Sequence, residues 1–164
     1  MHHAYILLGT NLGDRLSYLQ QAKTSILQQI GDISAASSIY ETAAWGLTEQ
    51  PAFYNQVLVV KTTIEPESLM QQLLAIETQL GRIRTIKFGP RTIDIDILLI
   101  DDLIHQSPIL ALPHPALPQR RFALMPLAEV APSLVHPVEK KTITTLLQAC
   151  IDTLDVQKIT PTAS

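Results

Sequence analysis

The chain has 164 residues, 46% of them apolar and 16% charged. That length suits one domain with a real hydrophobic core, and the composition excludes a disordered polar tail. With 12 Lys and Arg against 15 Asp and Glu, the formal net charge is −3, so no global attraction to nucleic acid or to an anionic membrane is expected. From Met1 the sequence runs almost directly into Tyr5-Ile6-Leu7-Leu8-Gly9, a buried-strand pattern without the charged and long apolar regions of a signal peptide. Thr10 to Asp14 reads as a turn. A helix follows, with Leu16, Leu19, Ala22, Ile26 and Ile30 spaced for one face and Gly31 as its stop. Ile33 to Tyr40 reads as a second strand, Thr42 to Pro51 as a loop carrying Gly46 and Trp45, and the Val-rich stretch Phe53 to Thr62 as a third strand.

Pro66 suits the first turn of a second helix, striped by Leu69, Leu73, Ile76 and Leu80. Arg82 to Thr92 is a polar loop. Ile93 to Ile100 is a fourth strand, with Leu103 to His105 expected to pair back onto it. Prolines 108, 113, 115 and 118 make the next stretch extended. Short helices are expected over Arg121 to Val130 and Thr142 to Leu154. Cys150 cannot form an internal disulfide and reads as a packed thiol. No uncharged apolar run approaches the ~18 residues of a membrane helix. The expectation is a soluble, cytoplasmic, single-domain protein over residues 1–164. The order strand–helix–strand–strand–helix–strand is that of a ferredoxin-like α+β fold: a mostly antiparallel sheet with helices packed on its faces, the C-terminal helices covering part of the second face.

Charge is concentrated in one place. Arg82, Arg84, Lys87 and Arg91 are four of the 12 cations, and Arg120 and Arg121 bring the total in two short segments to half. The loop ends at Asp94 and Asp96, two carboxylates on one face of an otherwise apolar strand, roughly 6.5–7 Å apart at the backbone. Desolvated without partners, they would be unfavourable. Ion pairs with Arg82, Arg84 or Arg91 would answer that cost. So would Mg²⁺, which takes carboxylate oxygens and shares substrate phosphates. The two readings are compatible if phosphates lie between cations and anions, an arrangement suited to phosphoryl transfer. No Walker-type loop, G-x-G-x-x-G or zinc spacing is present. An RNA-binding sheet of this shape needs exposed aromatics and a basic face, and here the proposed face carries Asp94 and Asp96.

The run Lys87-Phe88-Gly89-Pro90-Arg91-Thr92-Ile93-Asp94-Ile95-Asp96-Ile97-Leu98 resembles the signature of the 6-hydroxymethyl-7,8-dihydropterin pyrophosphokinases. Tyr5 to Gly13, Tyr40-Glu41-Thr42 with Gly46, Gln50 to Asn55, Pro113-His114-Pro115 with Arg120 and Phe122, and Met125 to Pro132 resemble further segments of that family. The resemblance implies transfer of the β,γ-diphosphate of ATP to the pterin hydroxymethyl group, with release of AMP, in folate biosynthesis. It implies catalytic roles for Arg82, Arg91, Asp94 and Asp96, with the two aspartates holding two Mg²⁺ ions. It places ATP against Arg84, Lys87, His114, Arg120 and the backbone near Ile97 and Ala111. It places the pterin against Thr42, Ala43, Trp45, Phe53, Asn55 and Phe122, with Glu77 where the family has a supporting carboxylate. The implied partners are the two substrates alone, with no nucleic acid, no membrane and a monomeric chain. The sequence departs from the best-known family form at Phe88, where a tryptophan occurs, at Trp45, and at Ala43 and Ala44, which replace prolines.

Overall fold

Strand β1 (His2–Thr10) runs through the middle of the sheet, between β4 (Phe53–Thr62) and β5 (Asp94–Ile100), both antiparallel to it. The structure is a computed structural model and describes residues 1–42, 51–81 and 92–159. Along the other edge of β4 lie β2 (Asp32–Ala36) and β3 (Ile39–Thr42), and β8 (Val156–Ile159) pairs with β3. With β2 and β3 taken together as the second strand, the order across the sheet is fourth, first, third, second, the ferredoxin-like order the element pattern predicts.

Helices α1 (Arg15–Gln29) and α2 (Pro66–Gln79) cover one face. Alternation along the strands decides which residues meet them. Ile6 and Leu8 of β1, Leu58 and Val60 of β4, and Ile95 and Ile97 of β5 pack against Leu19, Ala22 and Ile26 of α1 and Leu69, Leu73 and Ile76 of α2. Leu16, expected on the buried stripe of α1, is exposed. Asp14 caps α1, its Oδ1 accepting from the Ser17 N–H at 3.1 Å. Just beyond the helix the backbone passes so close to β4 that a Cβ at Gly31 would lie 2.0 Å from the Lys61 carbonyl oxygen, and glycine is required there.

On the second face, Leu7, Val57, Leu98 and Leu99 meet Ala123, Leu124 and Leu127 of α3 (Arg121–Val130), Ile143 and Leu146 of α4 (Ile143–Ala149), and Cys150. The cysteine is the packed thiol its sequence context suggests, and the C-terminal helices cover part of this face as expected.

Three expectations are corrected. The second strand is two strands, because Ser37 interrupts it: its N–H donates to the Val57 carbonyl at 2.8 Å, while its hydroxyl, not its carbonyl, accepts from the Val57 N–H at 2.9 Å. The stretch after the fourth strand does not pair back onto β5. A turn in which the Ser107 N–H bonds the Leu110 carbonyl at 2.9 Å folds β6 (His105–Gln106) onto β7 (Ala111–Leu112). His105 Nε2 meets Glu67 at 2.8 Å, tying this hairpin to α2. The last helix stops at Ala149, and the segment after it crosses to the sheet as β8. Arg121 causes the stop, donating from Nη2 to the Cys150 carbonyl at 3.0 Å and from Nε to the Asp152 carbonyl at 3.1 Å.

In the turn between α3 and α4, the buried His136 ring accepts at Nδ1 from the N–H groups of Val138 (3.2 Å) and Glu139 (3.0 Å). An Nδ1 receiving two donors holds no proton, and burial depresses the ring's pKa against the opposing pull of Glu139. The unfolded chain binds a proton below about pH 6.5 that the folded chain refuses. Stability is therefore full above that value and falls below it, by at most about 1.4 kcal/mol per pH unit for this one group. His114, also depressed, acts in the same direction. Urea unfolding at pH 7.5 and 5.5 is expected to show this loss, and His136→Asn, which keeps a local acceptor without a titrating ring, is expected to remove about one proton's worth of it.

Candidate active site

At one end of the sheet, the register of β5, β1 and β4 aligns Asp94, Gly9 and Asn55 in a row. Strands lie about 4.8 Å apart, so Asp94 and Asn55 are separated by roughly 10 Å of backbone across Gly9. Ile93, Ile95 and Ile97 point into the first core, so Asp94 and Asp96 face the α3 side together, half-buried. A Cβ at Gly9 would lie 2.9 Å from Asn55 Oδ1 and 3.8 Å from Phe53 Cδ1. The missing side chain is thus what leaves room for the Asn55 amide beside the Phe53 ring. Thr42 is the register partner of Phe53, and its buried hydroxyl has no hydrogen-bond partner among the described residues.

The segment after β7 brings the opposite wall. The His114 N–H donates to the Leu98 carbonyl of β5 at 2.9 Å. The Ala116 N–H donates to His114 Nδ1 at 3.2 Å, which leaves the ring proton on Nε2 as an outward donor. Burial lowers the His114 pKa most, the positive charge of Arg120 lowers it further, and Asp94 opposes both. Asp94 and Arg120, distant in sequence, therefore act on one imidazole. A single 3₁₀ turn, Leu117–Gln119, delivers Arg120 to the start of α3, its guanidinium carbon 5.6 Å from the centroid of Phe122. Phe122 is half-buried and packs at the rim of the second core.

The structure thus brings together Thr42, Phe53, Asn55, Asp94, Asp96, His114, Arg120 and Phe122 on the α3 side of one sheet end. Ile97 offers only its backbone, since its side chain is in the first core, and Ala111 stands in the short strand beside β5. Ala43, Trp45, Arg82, Arg84, Lys87 and Arg91 lie outside the described residues. Arg121, counted with the charge cluster, instead latches the C-terminal segment, its N–H bonding Asp152 Oδ2 at 3.1 Å in addition to the two carbonyl contacts.

The resemblance singles out Glu77 as a supporting carboxylate, whereas nothing in the sequence points to the contacts of Arg15 and Asn11. Glu77, buried on α2, accepts the Ile95 N–H at 2.7 Å, on the outer edge of β5 between the two aspartates. Arg15 donates to the Ala52 carbonyl at 2.8 Å with its guanidinium 3.8 Å over the Tyr54 ring, and the Asn11 amide donates to the Pro51 carbonyl at 3.1 Å. Together they fix the start of β4 next to Phe53. The Thr10–Asp14 stretch reads as a turn in the sequence, and the Pro51 carbonyl that Asn11 meets lies far along the chain. No cluster of three or more metal-ligating side chains occurs among the described residues. The acidic pair offers two hard oxygen ligands, a set that suits Mg²⁺ completed by phosphate and water, and not a closed all-protein site.

Residues 5–132 match the sequence model of the 7,8-dihydro-6-hydroxymethylpterin-pyrophosphokinase family. The chain belongs to this family. It is 40% identical over 141 residues to the 2-amino-4-hydroxy-6-hydroxymethyldihydropteridine pyrophosphokinase of Aquifex aeolicus, covering 86% of this chain and 88% of that one. It is 42% identical over 128 residues to the Bacillus subtilis enzyme of the same name, covering 77% of each. The folic acid synthesis protein fol1 of Schizosaccharomyces pombe is 39% identical over 158 residues, 95% of this chain but 21% of that longer one. The fold matches a crystal structure of Plasmodium falciparum HPPK-DHPS with a TM-score of 0.72 at 19% identity, over 91% of this chain and 42% of that one. The matched segment spans most of the Aquifex and Bacillus proteins and about a fifth of fol1.

Removing the Glu77 acceptor leaves the Ile95 N–H buried without a partner. Glu77→Ala is expected to cost about 1–3 kcal/mol of unfolding free energy, and Glu77→Gln, which keeps an acceptor, clearly less. Urea denaturation of the two variants checks this.

Proposed function

We propose that this chain transfers the β,γ-diphosphate of ATP to the hydroxymethyl group of 6-hydroxymethyl-7,8-dihydropterin, releasing AMP, as a cytoplasmic, Mg²⁺-dependent step of folate biosynthesis. The observation that carries the proposal is the shared face on which paired carboxylates, a histidine of lowered pKa with an arginine beside it, and the Asn55 amide two residues from Phe53 stand within one sheet end. The family membership supports the same reading.

On the pterin side, Phe53 from the sheet and Phe122 from α3 are the two aromatic faces for a flat heterocycle. Asn55 presents both a donor and an acceptor to the ring edge. Thr42 borders the same space, with Ala43 and Trp45 following it in sequence. On the nucleotide side, His114 donates through Nε2 and Arg120 supplies a fixed positive charge, both suited to phosphate oxygens. The backbone near Ile97 and Ala111 borders the adenine. Asp94 and Asp96 would hold the two Mg²⁺ ions, which when bound supply charge neutralisation on the triphosphate. Arg82, Arg84, Lys87 and Arg91 belong to the same polyphosphate, Arg82 and Arg91 acting on the charge that develops during transfer. The protein's task is alignment and charge balance, since this chemistry needs little covalent help. The substrates are the partners proposed, with the chain acting as a monomer.

The test is AMP formation from Mg-ATP that depends on added 6-hydroxymethyl-7,8-dihydropterin. Wild-type protein is expected to give it. Asp96→Ala is expected to lower turnover by at least about 10²-fold with an unchanged circular dichroism spectrum. Turnover at the wild-type level in that variant would remove the aspartate pair from the mechanism.

Gly9→Ala tests the pterin side separately. Its Cβ would push into the Asn55 amide, so pterin affinity is expected to fall about tenfold, or ~1.4 kcal/mol, while nucleotide affinity holds. Calorimetric titration with each ligand reads both.

A further inference from the structure

The segment Met125 to Pro132 stands out in the sequence, yet the reading above gives it no task. In the structure it forms the second half of α3, and Glu129 is its one charged side chain. That carboxylate gathers donors from three other places. Oε1 accepts from the Tyr40 hydroxyl at 2.6 Å and lies 3.7 Å from the Lys158 ammonium of β8. Oε2 accepts from the Ser38 N–H at 2.9 Å and the Ser38 hydroxyl at 3.1 Å. One side chain therefore binds the break between β2 and β3, the middle of β3, and the closing strand of the sheet.

The placement matters because of what each end carries. Tyr40 is the register partner of Asn55, and Thr42, two residues on, shares its face. α3 carries Phe122 two turns before Glu129, about 10.5 Å along the axis at 1.5 Å per residue. A ring held between Phe53 and Phe122 needs the helix at a fixed height above the sheet, and Glu129 sets that height by grasping β3. His114 is fastened separately, through its N–H to the Leu98 carbonyl.

We infer that Glu129 is a positioning residue for the pterin subsite: through Tyr40 and Ser38 it fixes α3 over β3, and so sets the gap between the two aromatic walls without touching either substrate. The inference rests on the pterin reading above and adds a residue to it. Glu129→Gln is the shape-preserving control. Its carbonyl oxygen keeps the Ser38 bonds, and its amide faces Tyr40, whose hydroxyl turns to accept.

The experiment measures dissociation constants for 6-hydroxymethyl-7,8-dihydropterin and, separately, for a non-hydrolysable Mg-ATP analogue. It uses wild type, Glu129→Ala, Glu129→Gln and Tyr40→Phe, each first shown to be folded at the assay temperature. Pterin affinity is expected to weaken about tenfold in Glu129→Ala and about threefold in Tyr40→Phe, with analogue affinity unchanged within twofold and Glu129→Gln close to wild type. In turnover, the pterin KM rises in Glu129→Ala while kcat holds within about twofold. Equal loss for both ligands would show a general structural role and overturn the inference, as would unchanged pterin affinity in Glu129→Ala. If Glu129→Ala does not fold, Tyr40→Phe decides, a selective pterin effect supporting the inference and none overturning it. Wild-type protein that binds no pterin would overturn the functional reading and this inference with it, whereas wild-type binding with unselective variants overturns the inference alone.

Discussion

The pairing of β5 on β1 is the constraint from which the site follows. Side chains alternate between faces with a period of two, and both faces of this sheet carry apolar helices. In the observed register, Ile93, Ile95 and Ile97 enter the core beneath α1 and α2, while Asp94 and Asp96 face the other side at the sheet end that carries Gly9 and Asn55. A slip of one residue would reverse this and drive two carboxylates into the first core. Burying unpaired ions costs several kcal/mol each, a large part of any small domain's stability. The charged pair is thus a register lock as well as a chemical group. Glu77 reinforces it from the outer edge, by occupying the Ile95 N–H that a strand edge would otherwise leave open.

The second wall of the site is joined to this sheet at separate points. The His114 backbone is bonded to β5 itself, and Arg120 follows through one short turn. Phe122 rides on α3, whose other end is tied to β3 through Glu129. The start of β4, with Phe53 and Asn55, is held from the opposite face by Arg15 and Asn11. Polar clamps therefore surround the polar site; the His114 bond joins two backbones, and the others are side chains reaching a backbone carbonyl, an N–H group or a hydroxyl. Burial, helped by the positive charge of Arg120, lowers the pKa of the histidine ring in this wall, and the backbone donor at its Nδ1 fixes the tautomer.

Much of this was legible in the sequence because it depends on local pattern. The Val-rich stretch Phe53 to Thr62 gives β4 to the residue, Pro66 marks the start of α2, and Arg121 to Val130 gives α3. Asp94 and Asp96 stood out because charge on an apolar strand demands an explanation. What failed was non-local. Val156 to Ile159 shows no strand alternation in its sequence, and its pairing with β3 is what makes it a strand. The break at Ser37 exists because its hydroxyl replaces a backbone acceptor, a substitution no periodicity displays. The crowding of Gly9 by Asn55 arises from the register of two distant strands. Arg121 looked like part of a cationic patch, whereas its three donors are spent on the chain's own return path.

That return path bears on the order of assembly. β8 is the last strand among the described residues and pairs with β3, one of the early ones, so this contact closes a very long loop. Until it forms, the outer margin of β3 is a row of unpaired backbone groups, and Lys158 has not reached Glu129. Loop closure of that span is slow compared with local helix or hairpin formation. A chain emerging from the ribosome can complete both apolar layers up to α4 while this margin remains open. The Arg121 latch to Asp152 closes a much shorter loop than the pairing of β8 on β3, so its closure costs less chain entropy.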